Sequence, residues 1–174
     1  MKRIWNLLLI FSFLAIGFSS CSDDAEEEWR DKNIAFYEKI AAQSDVHEII
    51  EKNNGRTGIY YQILKEGNGG AKPIIGNVLN LDYAGWTYND TIHYTTNRVL
   101  NINDTFDYNN DYSFRLGSDA IAAWNIAIQY MTVGEKWRVF IPYYQGYGST
   151  AQTDIPAYST LIFDIYLKEI VSVN

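Results

Sequence analysis

Four stretches of the chain alternate apolar and polar residues with a period of two. Ile59, Tyr61 and Ile63 fall on one side of their stretch, as do Leu79, Leu81 and Tyr83, then Trp137, Val139 and Ile141, then Leu161, Phe163, Ile165 and Leu167. Asn80, Asp82, Lys136, Arg138, Asp164 and Lys168 fall on the other side. That alternation predicts strands of an antiparallel sheet with one buried face and one wet face. Between the second and third stretches the period changes to that of a helix. Ile121, Trp124, Ile128 and Met131 share one face, with Ser118 placed to cap the helix and Gly134 to stop it. A sheet half-wrapped around such a helix buries both apolar faces without a second sheet, which makes the expected class α+β.

Upstream of the strands the pattern is again helical. Trp29, Phe36 and Ile40 form a narrow apolar stripe, and Asp45 followed by Glu48 reads as a capping box. These signals predict a helical extension over 29–57, with a second short helix from Val46 to Lys52 that ends at Asn53-Asn54-Gly55. The stripe suits either dimerisation through the extension or packing back on the sheet, and the pattern does not choose between them.

The first residues carry a different message. Lys2 and Arg3 precede an apolar run from Ile4 to Phe18, and Ser19-Ser20 lead to Cys21, the sole cysteine. A positive start, a short apolar stretch and small residues describe a secretory signal over 1–20, and the run is short for a full membrane span. One cysteine forms no disulfide within the chain, so stability must come from packing. Cys21 after the small residues resembles the lipid-attachment site of bacterial lipoproteins, with Phe18 where that motif usually has leucine. The resemblance implies an acylated Cys21, a membrane anchor and a place in the cell envelope as an outer-membrane lipoprotein, periplasmic or surface-exposed; the acidic run that follows reads as a solvated tether over 21–28.

Charge narrows the partners. The 174-residue chain has a formal charge of -7. Loss of Lys2 and Arg3 leaves 12 basic residues against 21 acidic ones, or -9. Such a protein does not bind nucleic acid by neutralising its backbone. His47 and His93 are the two histidines and lie in different segments, with no zinc-ligand spacing. Neither a nucleophile elbow nor a phosphate loop occurs, and no cofactor is expected.

The order of residues in the last third is more specific than any of these patterns. It runs Phe114-Arg115-Leu116-Gly117, Ile121, Trp124, Met131-Thr132-Val133-Gly134-Glu135-Lys136, Ile141-Pro142, Tyr147-Gly148, Ile155-Pro156 and Thr160-Leu161-Ile162-Phe163-Asp164. Gly58-Ile59-Tyr60-Tyr61, Glu66-Gly67-Asn68-Gly69-Gly70, Lys72-Pro73 and Val78 to Gly85 precede it. Over 58–171 this series resembles the FKBP-type peptidyl-prolyl cis-trans isomerases.

The resemblance implies an antiparallel sheet wrapped around a short α-helix, and a pocket for proline-containing polypeptide clients. Trp124 would form the floor, Tyr83, Phe163 and Tyr112 the walls, and Ile155 one side. Ile121 would offer a backbone N–H and Tyr147 a hydroxyl to substrate carbonyls. Ala120 replaces a larger aliphatic residue and widens the pocket. Taken singly, each of these aromatics reads as ordinary core; their shared order is what carries the pocket.

The segment from 86 to 105 is longer than the family's link. Placing the family's Phe-Asp pair on Phe106-Asp107 keeps both residue types and the spacing to Phe114, with Asp107 bonding the Tyr83 hydroxyl. Counting straight from Tyr83 gives His93-Tyr94 instead and loses the carboxylate. The first placement is preferred. The insertion reads as a hairpin with strands 91–95 and 98–102, as a lid or client-binding edge, or as a carrier of sugar at Asp90-Thr91-Ile92, which resembles an O-glycosylation acceptor. The function implied is an isomerase that assists the folding of exported proteins; the alternative is a non-catalytic FKBP-like module that grips a protein or glycan.

Overall fold

The structure of the protein, a computed structural model, describes residues 20–88, 104–118 and 120–172. The apolar run Ile4–Phe18, the candidate hairpin strands and His93 lie outside the described residues, as does the Cys21 side chain. Six strands form one antiparallel sheet: β1 (His47–Glu51), β2 (Gly55–Lys65), β3 (Val78–Thr87), β4 (Asp107–Arg115), β5 (Lys136–Ile141) and β6 (Leu161–Ser172). Their order across the sheet is β1-β2-β5-β6-β3-β4. An N-terminal helix, α1 (Ser20–Ala41), precedes the strands. The concave face of the sheet wraps α2 (Ala122–Ala127), which continues as a 3₁₀ turn over Ile128–Tyr130. The inward positions of the four alternating stretches all join one cluster around Ala123, Trp124 and Ala127. This is the α+β arrangement that the periodicities predict.

Three expectations need correction. The helical extension is α1 alone, which takes in the acidic stretch 23–28 as exposed but helical turns. Residues 47–51 are a strand instead of a second helix, so the sheet begins upstream of residue 58. A helix that short is marginal by itself, whereas β1 gains a full ladder with β2, from His47 opposite Tyr61 to Glu51 opposite Gly55, and buries Ile49. The two residues of the expected capping box serve tertiary contacts: Asp45 accepts from Gln62 Nε2 at 2.7 Å, and Glu48 accepts from the Gly58 N–H at 3.1 Å. Ser118 does not cap α2; the residue at its start is Ile121, with no side-chain cap. Asn125 instead ties the preceding loop to the helix, with Oδ1 accepting from the Gly117 N–H at 2.8 Å and Nδ2 donating to the Ser118 carbonyl at 3.0 Å.

The outer face of the sheet is only partly wet. Phe36 and Ile40 of α1 pack on Tyr60, Phe140, Ile162 and Trp86, which form one row across β2, β5, β6 and β3. The apolar stripe is therefore used within the chain. In the adjacent row Arg138 and Asp164 are buried as a two-bond ion pair, with Nε–Oδ1 at 2.7 Å and Nη2–Oδ2 at 3.0 Å. Both partners are satisfied, which is the condition for keeping charge in the interior.

A polar residue inside the apolar stripe locks α1 in place. Asn33 is fully buried. Its Oδ1 accepts from the Thr160 N–H at 2.7 Å, its Nδ2 donates to the Trp29 carbonyl at 3.0 Å, and its carbonyl accepts from Thr160 Oγ1 at 3.2 Å. Replacing it with alanine strands the Thr160 N–H in a dry interface. Asn33→Ala is expected to lower unfolding free energy by about 1–3 kcal/mol in urea titrations, while Lys39→Ala on the exposed side of α1 stays within about 0.5 kcal/mol.

Candidate active site

The concave face ends in a hollow of about 220 Å³ lined by Tyr83, Phe106, Asp107, Tyr112, Phe114, Ala120, Ile121, Trp124, Tyr147 and Phe163. Each wall comes from a different element. β3 and β6 run side by side and present Tyr83 and Phe163; β4 supplies Asp107, Tyr112 and Phe114; the turn into α2 supplies Ala120 and Ile121. Trp124 sits in the first turn of α2 on its buried face.

The indole of Trp124 is fixed by ring edges. Tyr83, Phe163 and Phe114 meet it at centroid separations of 5.0, 5.2 and 5.6 Å and interplanar angles of 80°, 87° and 75°. Around the wall Tyr112 lies edge-on to Tyr83 at 5.3 Å and Phe106 edge-on to Phe163 at 5.5 Å. Aromatic pairs favour this geometry because the positive edge of one ring meets the negative face of the next. The rings are thus held in place by one another, and the hydroxyls of Tyr83, Tyr112 and Tyr147 and the Asp107 carboxylate share the lining with them. Gly85 completes it from behind: a Cβ there would lie 2.5 Å from Phe163 Cε1 and 2.8 Å from Phe106 Cζ, so both rings need a glycine beneath them.

Polar groups punctuate the rings. Tyr83 donates its hydroxyl to Asp107 Oδ2 at 2.7 Å. Burial, and after it the hydrogen bond and charge of Asp107, push the Tyr83 phenol far above the usual tyrosine range. Ile121 precedes α2 with extended backbone (φ -55°, ψ 140°), and nothing among the described residues accepts from its N–H. Tyr147 stands on the rim, with 37% of its surface exposed and its hydroxyl unpaired among the described residues. Its phenol is also raised, by burial first and then by the charge of Asp107.

Of the site positions expected from the sequence, Tyr83, Phe106, Asp107, Tyr112, Ala120, Ile121, Trp124, Tyr147 and Phe163 meet around the hollow. Ile155 is not among the residues that line the hollow; it is buried in the same core cluster as Trp124 and Phe163 and forms a bridge with Gln152. Cys21 lies in the first turn of α1, far along the chain from the site. Phe114 is a wall residue that sequence reasoning assigned to a strand motif only. Its signal was present, since it lies two positions beyond Tyr112 and shares that residue's face.

Known proteins resemble this chain in sequence and in fold. Residues 69–168 match the domain family described as FKBP-type peptidyl-prolyl cis-trans isomerase. The chain is 30% identical over 177 residues to the macrophage infectivity potentiator of Trypanosoma cruzi, covering 93% of this chain and 82% of that protein. It is also 30% identical over 114 residues to the FKBP-type isomerase FkpA of Aeromonas hydrophila, covering 66% of this chain but 38% of that longer protein. The crystal structure of a peptidyl-prolyl cis-trans isomerase from Pseudomonas syringae pathovar tomato superposes with a TM-score of 0.65 at 26% identity, over 90% of this chain and 100% of the other. FkpA from Escherichia coli shares the fold, with a TM-score of 0.66 at 24% identity over 85% of this chain and 62% of the other.

The Tyr83–Asp107 pair has a measurable signature. Because the folded state holds the Tyr83 proton more tightly than the unfolded chain does, its contribution to stability is whole below about pH 10 and declines as the pH rises beyond that value. Asp107→Ala removes the acceptor but leaves the burial. The ionisation of Tyr83, followed through its ring carbon by NMR, is expected to move down toward the ordinary tyrosine value without reaching it.

Proposed function

The chain belongs to the FKBP-type peptidyl-prolyl cis-trans isomerase family, and on that premise we propose that the hollow above Trp124 binds an Xaa-Pro segment of a polypeptide and catalyses rotation about its peptide bond. The single observation that carries this reading is an open, ring-lined hollow whose floor is an indole. A planar amide resists rotation by about 18–20 kcal/mol because resonance stiffens its C–N bond. Twisting breaks the resonance and reduces the charge separation across the amide. A water-poor aromatic wall therefore favours the twisted form over the planar one, which is differential stabilisation of the transition state. An acceleration of ~10⁵ would require about 7 kcal/mol of such preference.

In this reading the proline ring lies on the Trp124 face, between Tyr83 and Phe163. The Ile121 N–H and the Tyr147 hydroxyl donate to carbonyls of the peptide, which suits two donors that lack partners among the described residues. Asp107 orients Tyr83 and puts a negative charge on one wall. Ala120 leaves width beside the residue before proline. No nucleophile, metal or net proton transfer is needed, because no covalent bond is made or broken.

The same proposal extends to place and partner. Lys2 and Arg3 before the apolar run support export, and Ser19-Ser20 before Cys21 support lipid attachment in the cell envelope. The clients are then proline-containing chains that fold after export. Cys21→Ala is expected to shift the protein from the membrane fraction to the soluble fraction of the producing cell and to abolish incorporation of labelled fatty acid.

Catalysis is tested by magnetisation-transfer NMR on a short Xaa-Pro peptide. The wild-type protein is expected to accelerate cis-trans exchange over buffer, and Trp124→Ala and Phe163→Ala to lose about ten-fold or more of kcat/KM, since each removes a wall made for the twisted amide. A wild-type rate equal to buffer would sink the enzymatic reading and leave a binding module of the same fold.

A further inference from the structure

β4 carries two residues of the hollow that simple alternation would place on opposite faces of the sheet. Asp107 and Tyr112 are five positions apart, and an odd separation in an uninterrupted strand puts side chains on opposite sides. Both nevertheless line the hollow. The ladder with β3 shows how: Tyr112 lies opposite Leu81 and Asn109 opposite Tyr83, so β4 advances three residues while β3 advances two. That mismatch is a β-bulge, which shifts the phase of everything beyond it by one residue. Inside it Asp111 takes a φ of 66°, the left-handed conformation that Asp and Asn accept more readily than other residues with a Cβ and that a β-branched residue scarcely adopts.

What holds it lies on the sheet's other face. The Asp111 N–H donates to Asp82 Oδ1 of β3 at 2.9 Å. Lys168 Nζ, reaching across from β6, donates to that same oxygen at 3.3 Å and also to Asp111 Oδ1. One cation therefore ties three adjacent strands together at the bulge. An exposed ion pair contributes little stability by itself. Its leverage here comes from the period of the strand, because losing one residue of bulge turns Asp107 from the hollow to the outer face.

We propose that Asp82 and Lys168 are positioning residues: by holding the bulge at Asp111 they direct the Asp107 carboxylate to the Tyr83 hydroxyl in the isomerase site. The consequence for turnover rests on the isomerase reading, whereas the consequence for the Tyr83–Asp107 pair does not.

Two variants at residue 111 separate backbone from charge. Asp111→Gly accepts the left-handed conformation freely and keeps the bulge, so Tyr83 ionises as in wild type and most of kcat/KM remains. Asp111→Val is strained there, and its Tyr83 ionisation moves down to the position seen in Asp107→Ala, with about ten-fold or more lost from kcat/KM through misplacement of a wall group. Lys168→Ala moves both readouts in the same direction by a smaller amount; Lys168→Arg restores them, and the loss shrinks in the Asp111→Gly background. An Asp111→Val protein whose Tyr83 titrates as in wild type would overturn the proposal, as would a Lys168→Ala effect of equal size in the glycine background. Should Asp111→Val fail to fold, the Lys168→Ala and Asp111→Gly pair decides alone. Should neither the wild-type protein nor any variant accelerate exchange, the Tyr83 titrations still settle the positioning claim.

Discussion

An indole held by ring edges on one side and open to a hollow on the other is the constraint around which the molecule is organised. Trp124 must be immobile, which requires the edge-on contacts from Tyr83, Phe114 and Phe163. Those rings come from three different strands, so the sheet has to curl around α2 to deliver them. The six-residue helix is too short to be stable alone. It is stable because Ala123, Trp124 and Ala127 are buried under the strands it organises.

A sheet curled that far leaves its convex face to be covered, and this chain covers it with its own N-terminal helix. The row Tyr60, Phe140, Ile162 and Trp86 is as apolar as a second core, and Phe36 and Ile40 close it. Two of the polar contacts of α1 fall at Ser159 and Thr160, where the rim loop enters β6 just ahead of Phe163, and a third joins the Tyr37 hydroxyl to the Gly58 carbonyl of β2. Packing on the outer face thus borders the segment that feeds the site's central strand.

Much of this was legible in the residues. Period-two alternation identified the inward positions of four strands, because an inward position in a twisted sheet must be apolar wherever the core is. The order of Trp124, Tyr147 and Phe163 pointed to a family and, through it, to a pocket. Less was legible where residues serve distant partners. Asn33 interrupts an apolar stripe at helical spacing from Trp29, a signal that something polar is met there, but its partner at Thr160 is 127 positions away. Arg138 and Asp164 read as wet-face residues because each is charged; only their pairing makes burial tolerable.

Inward and outward positions, and the residue types that a site could draw on, were set by the chain's local period and needed no knowledge of the fold. Three-dimensional packing settled that 47–51 is strand and not helix, that Ile155 turns into the core, and that the phase of β4 shifts at Asp111. The reason is physical. A backbone segment with two local options takes the one whose N–H and C=O groups find partners, and those partners are supplied by strands that only folding brings alongside.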